Sequence, residues 1–151
     1  MKTINAWLSE YNALFKTNEK MYREAVKTFG ISESAFWILY ALRNASECMT
    51  QREIVHQNFL PPQTINSALK KLETEGIIEM HTGADRRTKQ VCLTPEGEAL
   101  TARSADRLID IEIQASEQLT QKEQDEFLRI FRKYISAVQG LLSADIQAEA
   151  E

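Results

Sequence analysis

Several residue types are scarce in this sequence, and each scarcity removes a class of function. Cysteine occurs twice, at Cys48 and Cys92, too few for a disulfide framework and without CxxC spacing. The two read as small buried hydrophobes, and redox activity would need a thiolate-stabilising neighbourhood that spacing does not reveal. Histidine also occurs twice, at His56 and His81, outside any HExxH pattern or Cys/His cluster of zinc spacing. No metal site is expected. The five glycines form neither a phosphate-binding loop nor a dinucleotide fingerprint, and no nucleophile elbow is present. The chain is therefore not expected to be an enzyme or to carry a cofactor. No apolar run approaches the roughly 20 residues of a membrane span. The N-terminus reaches Glu10 without an apolar signal core, so the expected location is the cytoplasm, with no membrane partner. Internal repeats and low-complexity linkers are missing as well.

The 151 residues are 43% hydrophobic, enough for one domain with a core and too few for two independent ones. The formal charge is −4, unpromising for a partner such as DNA, but its distribution matters more than its sum. Residues 1–49 carry six bases and five acids, giving +1. Residues 50–92 carry the same, giving +1, and residues 93–151 carry six bases and twelve acids, giving −6. Any DNA contact must come from local placement of charge.

Residues 4–29 read as one amphipathic helix, stopped by Gly30. Ser32 caps a second helix, apolar on most sides and hence expected to be central. Thr50-Gln51-Arg52-Glu53 is a capping box opening a short helix to about Gln57. Pro62 fits the first turn of a fourth helix, which Gly76 ends. Ile65, Ala68, Leu69 and Leu72 form its inward stripe. Residues 77–81 and 89–93 read as strands of a hairpin whose polar turn carries Arg86 and Arg87. Thr94, with Pro95 behind it, caps one further helix marked by Leu100, Leu108, Ile111 and Ala115. A second capping box, Thr120 with Glu123, opens the last helix, and the chain beyond Ser143 is expected to fray.

This order describes a mainly α protein with a small β-hairpin wing: a winged helix-turn-helix with N- and C-terminal dimerisation helices. Within a single domain, residues 31–97 form the DNA-binding lobe. Residues 1–30 and 98–145 form the dimerisation region, and residues 146–151 a frayed tail. In such a lobe the second helix of the pair enters the major groove. Its outward residues are Pro62, Gln63, Thr64, Asn66, Ser67, Lys70 and Lys71. Asn and Gln pair bidentately with adenine, and Ser or Thr donates or accepts. Lys70 and Lys71 lie further along, where phosphates are the partners. Thr50 and Gln51 at the preceding helix start, and Arg86, Arg87 and Lys89 on the hairpin, complete the candidate DNA-binding set. Each feature alone is more often an ordinary solvated surface; their order carries the argument. The large apolar residues of the first and last helices exceed what a small winged core covers, which favours a homodimer over a monomer.

Residues 69–78 and the run from Asp85-Arg86-Arg87-Thr88-Lys89-Gln90 to Leu93-Thr94-Pro95-Glu96-Gly97 resemble the recognition-helix end and wing of MarR-type regulators, and residues 31–39 resemble that family's second helix. The likeness spans nearly the whole chain. It implies a homodimeric, sequence-specific DNA-binding transcriptional regulator on double-stranded DNA with a pseudo-palindromic operator. It further implies a repressor released by a small-molecule ligand, an aromatic or phenolic effector. Trp7, Tyr11, Phe36, Trp37 and Tyr40 are the candidate effector-pocket residues, although aromatic stripes at helical spacing are more often core. By match to the motif, Asp85 and Arg87 shape the wing and Arg86 contacts DNA. Ala84 and Gly83 depart from the family pattern at the tip, which implies a weaker wing. The alternative is a winged-helix protein-interaction module without DNA binding, which the near-neutral lobe keeps open.

Overall fold

The computed structural model describes residues 5–45, 48–58, 60–82 and 88–149. Helix α1 spans Ala6–Thr28, and the Asn5 side chain accepts from the Leu8 N–H at 2.8 Å. Gly30 follows at φ +70, the left-handed conformation that lets the chain turn out of a helix. Helix α2, Glu33–Asn44, starts at Ser32, whose hydroxyl accepts from Ala35 N–H. Strand β1, Met49–Thr50, leads directly into helix α3, Gln51–Asn58. Helix α4, Pro62–Thr74, has Pro62 at its first turn, and Gly76 beyond its end again sits at φ +70. Strands β2, Ile78–Thr82, and β3, Lys89–Leu93, form the hairpin. Helices α5, Pro95–Ala102, α6, Ala105–Ser116, and α7, Gln121–Glu149, complete the chain.

The sheet is antiparallel with order β1-β3-β2. Its register runs from Ile78↔Leu93 to Thr82↔Lys89 on one side of β3, and pairs Met49↔Val91 and Thr50↔Gln90 on the other. The main core lies among α2, α3, α4 and the sheet. It includes Ile38, Ile54, Ile65, Leu69 and Val91, all fully buried, and each such side chain contributes about 1.5–3 kcal/mol. A second cluster places Val26 of α1 and Phe36 of α2 with Ala105 and Leu108 of α6. Helix α2 thus serves two cores from different faces, which is why it is apolar on most sides.

The chain divides into two compact units, Met1–Leu108 and Ile109–Glu151. The first takes in α1 together with the winged lobe. In the second, the Thr120–Glu123 capping box forms as read from the sequence, with Glu123 accepting from both the N–H and hydroxyl of Thr120. No side chain described on α7 is buried.

Four expectations are corrected. The single helix after Thr94 is two, α5 and α6. The buried hydroxyls of Thr101 and Ser104 donate back to Gly97 O and Leu100 O, and the Ser104 N–H bonds Thr101 O in a tighter turn. Such back-bonding competes with a straight helix without any glycine or proline to signal it. The two-residue β1 was not anticipated, because two residues have no periodicity to read. The last helix continues to Glu149 rather than fraying after Ser143. Most consequentially, Cys48 and Cys92 are joined in a disulfide, their Cα atoms 4.7 Å apart. Cys48 is exposed and Cys92 half-buried, so neither is a buried free thiol. The bridge extends the β1–β3 register by one pair. A crosslink across 44 residues of sequence restricts the unfolded chain by roughly 4 kcal/mol in the chain-entropy account.

Candidate nucleic-acid interface

The candidate interface is built on α4. Its stripe of Ile65, Ala68, Leu69 and Leu72 is buried against α2, β2 and the rest of the main core, which fixes the helix's rotation. Gln63, Thr64, Ser67, Lys70 and Lys71 are consequently exposed, and Asn66 is half-buried at the edge of this surface. Pro62 is exposed at the helix start, and no side chain caps that end. First-turn N–H groups left without a side-chain acceptor favour an anion. Lys71 lies 3.8 Å from Glu75 in an exposed pair one turn on, a contact of small energy.

Helix α3 is set by the capping box anticipated from its sequence. Glu53 Oε2 accepts from Thr50 N–H at 2.7 Å and from the Thr50 hydroxyl at 2.8 Å, and Glu53 N–H donates to Thr50 Oγ1 at 3.2 Å. The backbone and then the hydroxyl bond hold the Glu53 carboxyl below its usual range. A lowered folded-state pKa means the contribution is present above the ordinary glutamate value and is lost as pH falls through the lowered one. The cap therefore persists at neutral pH. It also commits the Thr50 hydroxyl proton to Glu53, so of the two candidates at this helix start only Gln51 keeps its side chain outside the box.

Two junctions orient the parts. The Thr94 hydroxyl contacts Gly76 O at 2.5 Å and Ile77 O at 3.1 Å as a shared donor, and accepts from Gly97 N–H at 3.1 Å. Thr94 N–H donates to Ile77 O at 3.1 Å. One residue thus ties the end of α4, the root of β2 and the start of α5. A Cβ at Gly97 would collide with the Ile77 carbonyl oxygen, so glycine is required by this close approach. The second junction is Arg43 of α2, whose Nε donates to Asp106 and Nη2 to Glu98, both at 2.7 Å. Desolvation opposes the Arg43 charge, but the Glu98 and Asp106 carboxylates outweigh it and raise the guanidinium pKa further. Thr94 was legible as a cap; nothing in the sequence marked the partners of Arg43.

Residues 29–88 match the family model described as MarR family. This lobe is similar to the MarR family. A curated relative, the uncharacterized HTH-type transcriptional regulator YwoH of Bacillus subtilis (strain 168), is 28% identical over 116 residues, covering 77% of this chain and 84% of YwoH. Among solved structures, NMB1585, a MarR family regulator from Neisseria meningitidis, aligns with a TM-score of 0.80 at 20% identity, over 94% of this chain and 99% of that one. The S. aureus MepR–DNA complex aligns with a TM-score of 0.70 at 22% identity, over 85% and 96%. At these identities the structural likeness concerns the fold.

Within this lobe, Lys89 is exposed at the start of β3, paired with Thr82. The tip candidates Arg86 and Arg87, with Gly83, Ala84 and Asp85, lie outside the described residues. The five candidate effector residues lie on two helices, Trp7 and Tyr11 on α1 and Phe36, Trp37 and Tyr40 on α2. Trp7 and Tyr11 stack along α1, and Tyr11 stacks on Phe15. Phe36 is fully buried, stacked on Phe29 and edge-on to Trp37, which leaves it no face for a ligand. Tyr40 packs beside Phe36 and Trp37. Trp37 instead lines a cleft of about 420 Å³ with Glu33, Gln57, Asn58, Leu60 and Thr64.

Proposed function

We propose that this chain is a DNA-binding transcriptional regulator, not an enzyme, that acts in the cytoplasm as a homodimeric repressor on a pseudo-palindromic operator. The observation that carries the reading is the division of α4: one stripe wholly in the core and an opposite face of amides, hydroxyls and lysines exposed beside a β-hairpin. That is the geometry a recognition helix needs to present side chains to base edges while the core fixes its angle. The likeness in fold to S. aureus MepR in its complex with DNA supports the same reading.

Gln63, Thr64, Asn66 and Ser67 are assigned to base edges. Pro62, Gln51, Lys70, Lys71 and Lys89 are assigned to the backbone, and Arg86 and Arg87, from sequence, to phosphate or the minor groove. Phosphate contacts release counterions. For a protein with about 6–10 such contacts, affinity falls by roughly 10³–10⁵ between about 50 and 200 mM salt. Promoter fragments titrated across that range should show this slope. Replacing Arg86 and Arg87 by alanine should flatten it, whereas Asn66→Ala should cost about 1–3 kcal/mol at one base position. Retention of no promoter fragment even at low salt would instead favour the protein-interaction module.

Release by a small ligand belongs to the same proposal. The cleft shared by Trp37 and Thr64 reaches α4, so an aromatic or phenolic occupant there would bias the recognition helix. A thermal-shift screen with aromatic acids and phenols tests it, and a flat response removes this part.

A further inference from the structure

We propose that the Cys48–Cys92 disulfide is an exchangeable redox site, opened by a low-molecular-weight thiol, that sets how firmly the wing is coupled to the helix-turn-helix. The argument begins with placement. Cys48 immediately precedes β1, and Thr50 of β1 caps α3. Cys92 lies in β3, the central strand of the sheet. The bridge therefore joins the start of the helix-turn-helix to the wing. Without it the β1–β3 connection has two residue pairs, Met49↔Val91 and Thr50↔Gln90.

Access is the second observation. Cys48 is exposed, and both sulfur-bearing residues line a cleft of about 290 Å³ with Leu42, Arg43, Val91 and Glu98. A reagent thiol can approach through this cleft. Compartment is the third, and here the proposal rests on the regulatory reading above. A protein acting on cytoplasmic DNA meets a thiol pool, and disulfides that persist there are commonly transient and redox-sensing.

The chemistry balances as thiol–disulfide exchange. The reagent thiolate attacks Sγ of Cys48, the more exposed of the two residues, forming a mixed disulfide as the Cys48–Cys92 bond breaks. The electron pair leaves on Cys92 Sγ, into the cleft that Arg43 also lines, and is protonated from solvent. A second reagent thiolate attacks the reagent sulfur, releasing Cys48 as thiolate and a small-molecule disulfide. One protein disulfide is reduced to two thiols while two reagent thiols are oxidised to one disulfide; oxidation runs the reverse.

Opening leaves the five β2–β3 pairs and the Thr94 junction untouched, and buried Met49 and Val91 still pack in the main core. The lobe stays folded, and coupling is what changes. The closed form is pre-organised and binds the operator more tightly.

The test uses the full chain equilibrated in buffers of reduced and oxidised glutathione. Alkylation and mass spectrometry count thiols, hydrogen exchange follows β1, and operator affinity is read in each state. The expected result is one reversibly titrating disulfide. Its opening speeds exchange at Met49 and Thr50 by about tenfold or more and weakens operator binding by roughly tenfold. Cys48→Ser and Cys92→Ser should each reproduce the open state and ignore glutathione. A bridge that glutathione cannot open, or β1 exchange equal in both states, overturns the proposal, as does equal operator affinity in both states. Absence of DNA binding in both states would instead overturn the regulatory reading, while thiol counts and exchange would still decide the redox site.

Discussion

Gly97→Ala is expected to lower the stability of the winged lobe by about 3 kcal/mol, the upper end of what overpacking costs. The added Cβ meets the Ile77 carbonyl oxygen, a backbone atom that cannot rotate aside, with the Leu93 side chain also close at 3.2 Å. That carbonyl already accepts from Thr94 N–H, so pushing it away also strains the bonds joining α4, β2 and α5. Urea denaturation followed by tryptophan fluorescence should show an earlier midpoint. Gly140→Ala is the control. It lies within α7 with nothing within 4 Å of a new Cβ, so alanine there should add about 0.5–1 kcal/mol through helix propensity. Equal midpoints for the native protein and Gly97→Ala would show that the approach of Gly97 to Ile77 does not constrain the lobe.

The second large effect concerns assembly. Helix α7 is 29 residues long and none of its described side chains is buried, yet Phe127 is 62% and Leu141 74% exposed. Leu128 and Leu142 lie fourteen positions apart, about four turns along one side of the helix, and both are exposed. Replacing both by glutamate should leave the winged lobe folded, because neither contributes to its two cores. It should halve the mass measured by light scattering. Operator affinity should then fall by about 10²–10⁴, because the second half-site is no longer held at high local concentration. A native chain that is already monomeric, or a variant of unchanged mass, would rule out α7 as the dimer surface.

Much of the architecture was legible because its signals are local. Ser32, the Thr50–Glu53 and Thr120–Glu123 boxes, Pro62, Thr94 with Pro95, and the left-handed glycines at 30 and 76 act within one turn of the backbone they satisfy. The inward stripe of α4 was legible for the same reason, since periodicity of 3.6 fixes which residues share a face. From that stripe the outward candidates Gln63, Thr64, Ser67, Lys70 and Lys71 followed by subtraction. The aromatic effector candidates are less simply placed than the α4 stripe. Aromatic spacing places residues on a helix face but does not say what the face meets, and Phe36 meets Phe29 and the small second core.

The sequence by itself therefore determined the capped helices, the hairpin strands, the polar face of α4 and, through the MarR-type resemblance, the fold. The scarcity of cysteine, however, proved a poor guide to its role. Two cysteines 44 positions apart carry no local signal of pairing. Only folding brings β1 beside β3 and sets Cys48 against Cys92. The same holds for Arg43 with Glu98 and Asp106, for the break between α5 and α6, and for the collision that reserves position 97 for glycine. Each depends on distances between segments remote in sequence or on burial, and those are set when the chain packs rather than when a single turn forms.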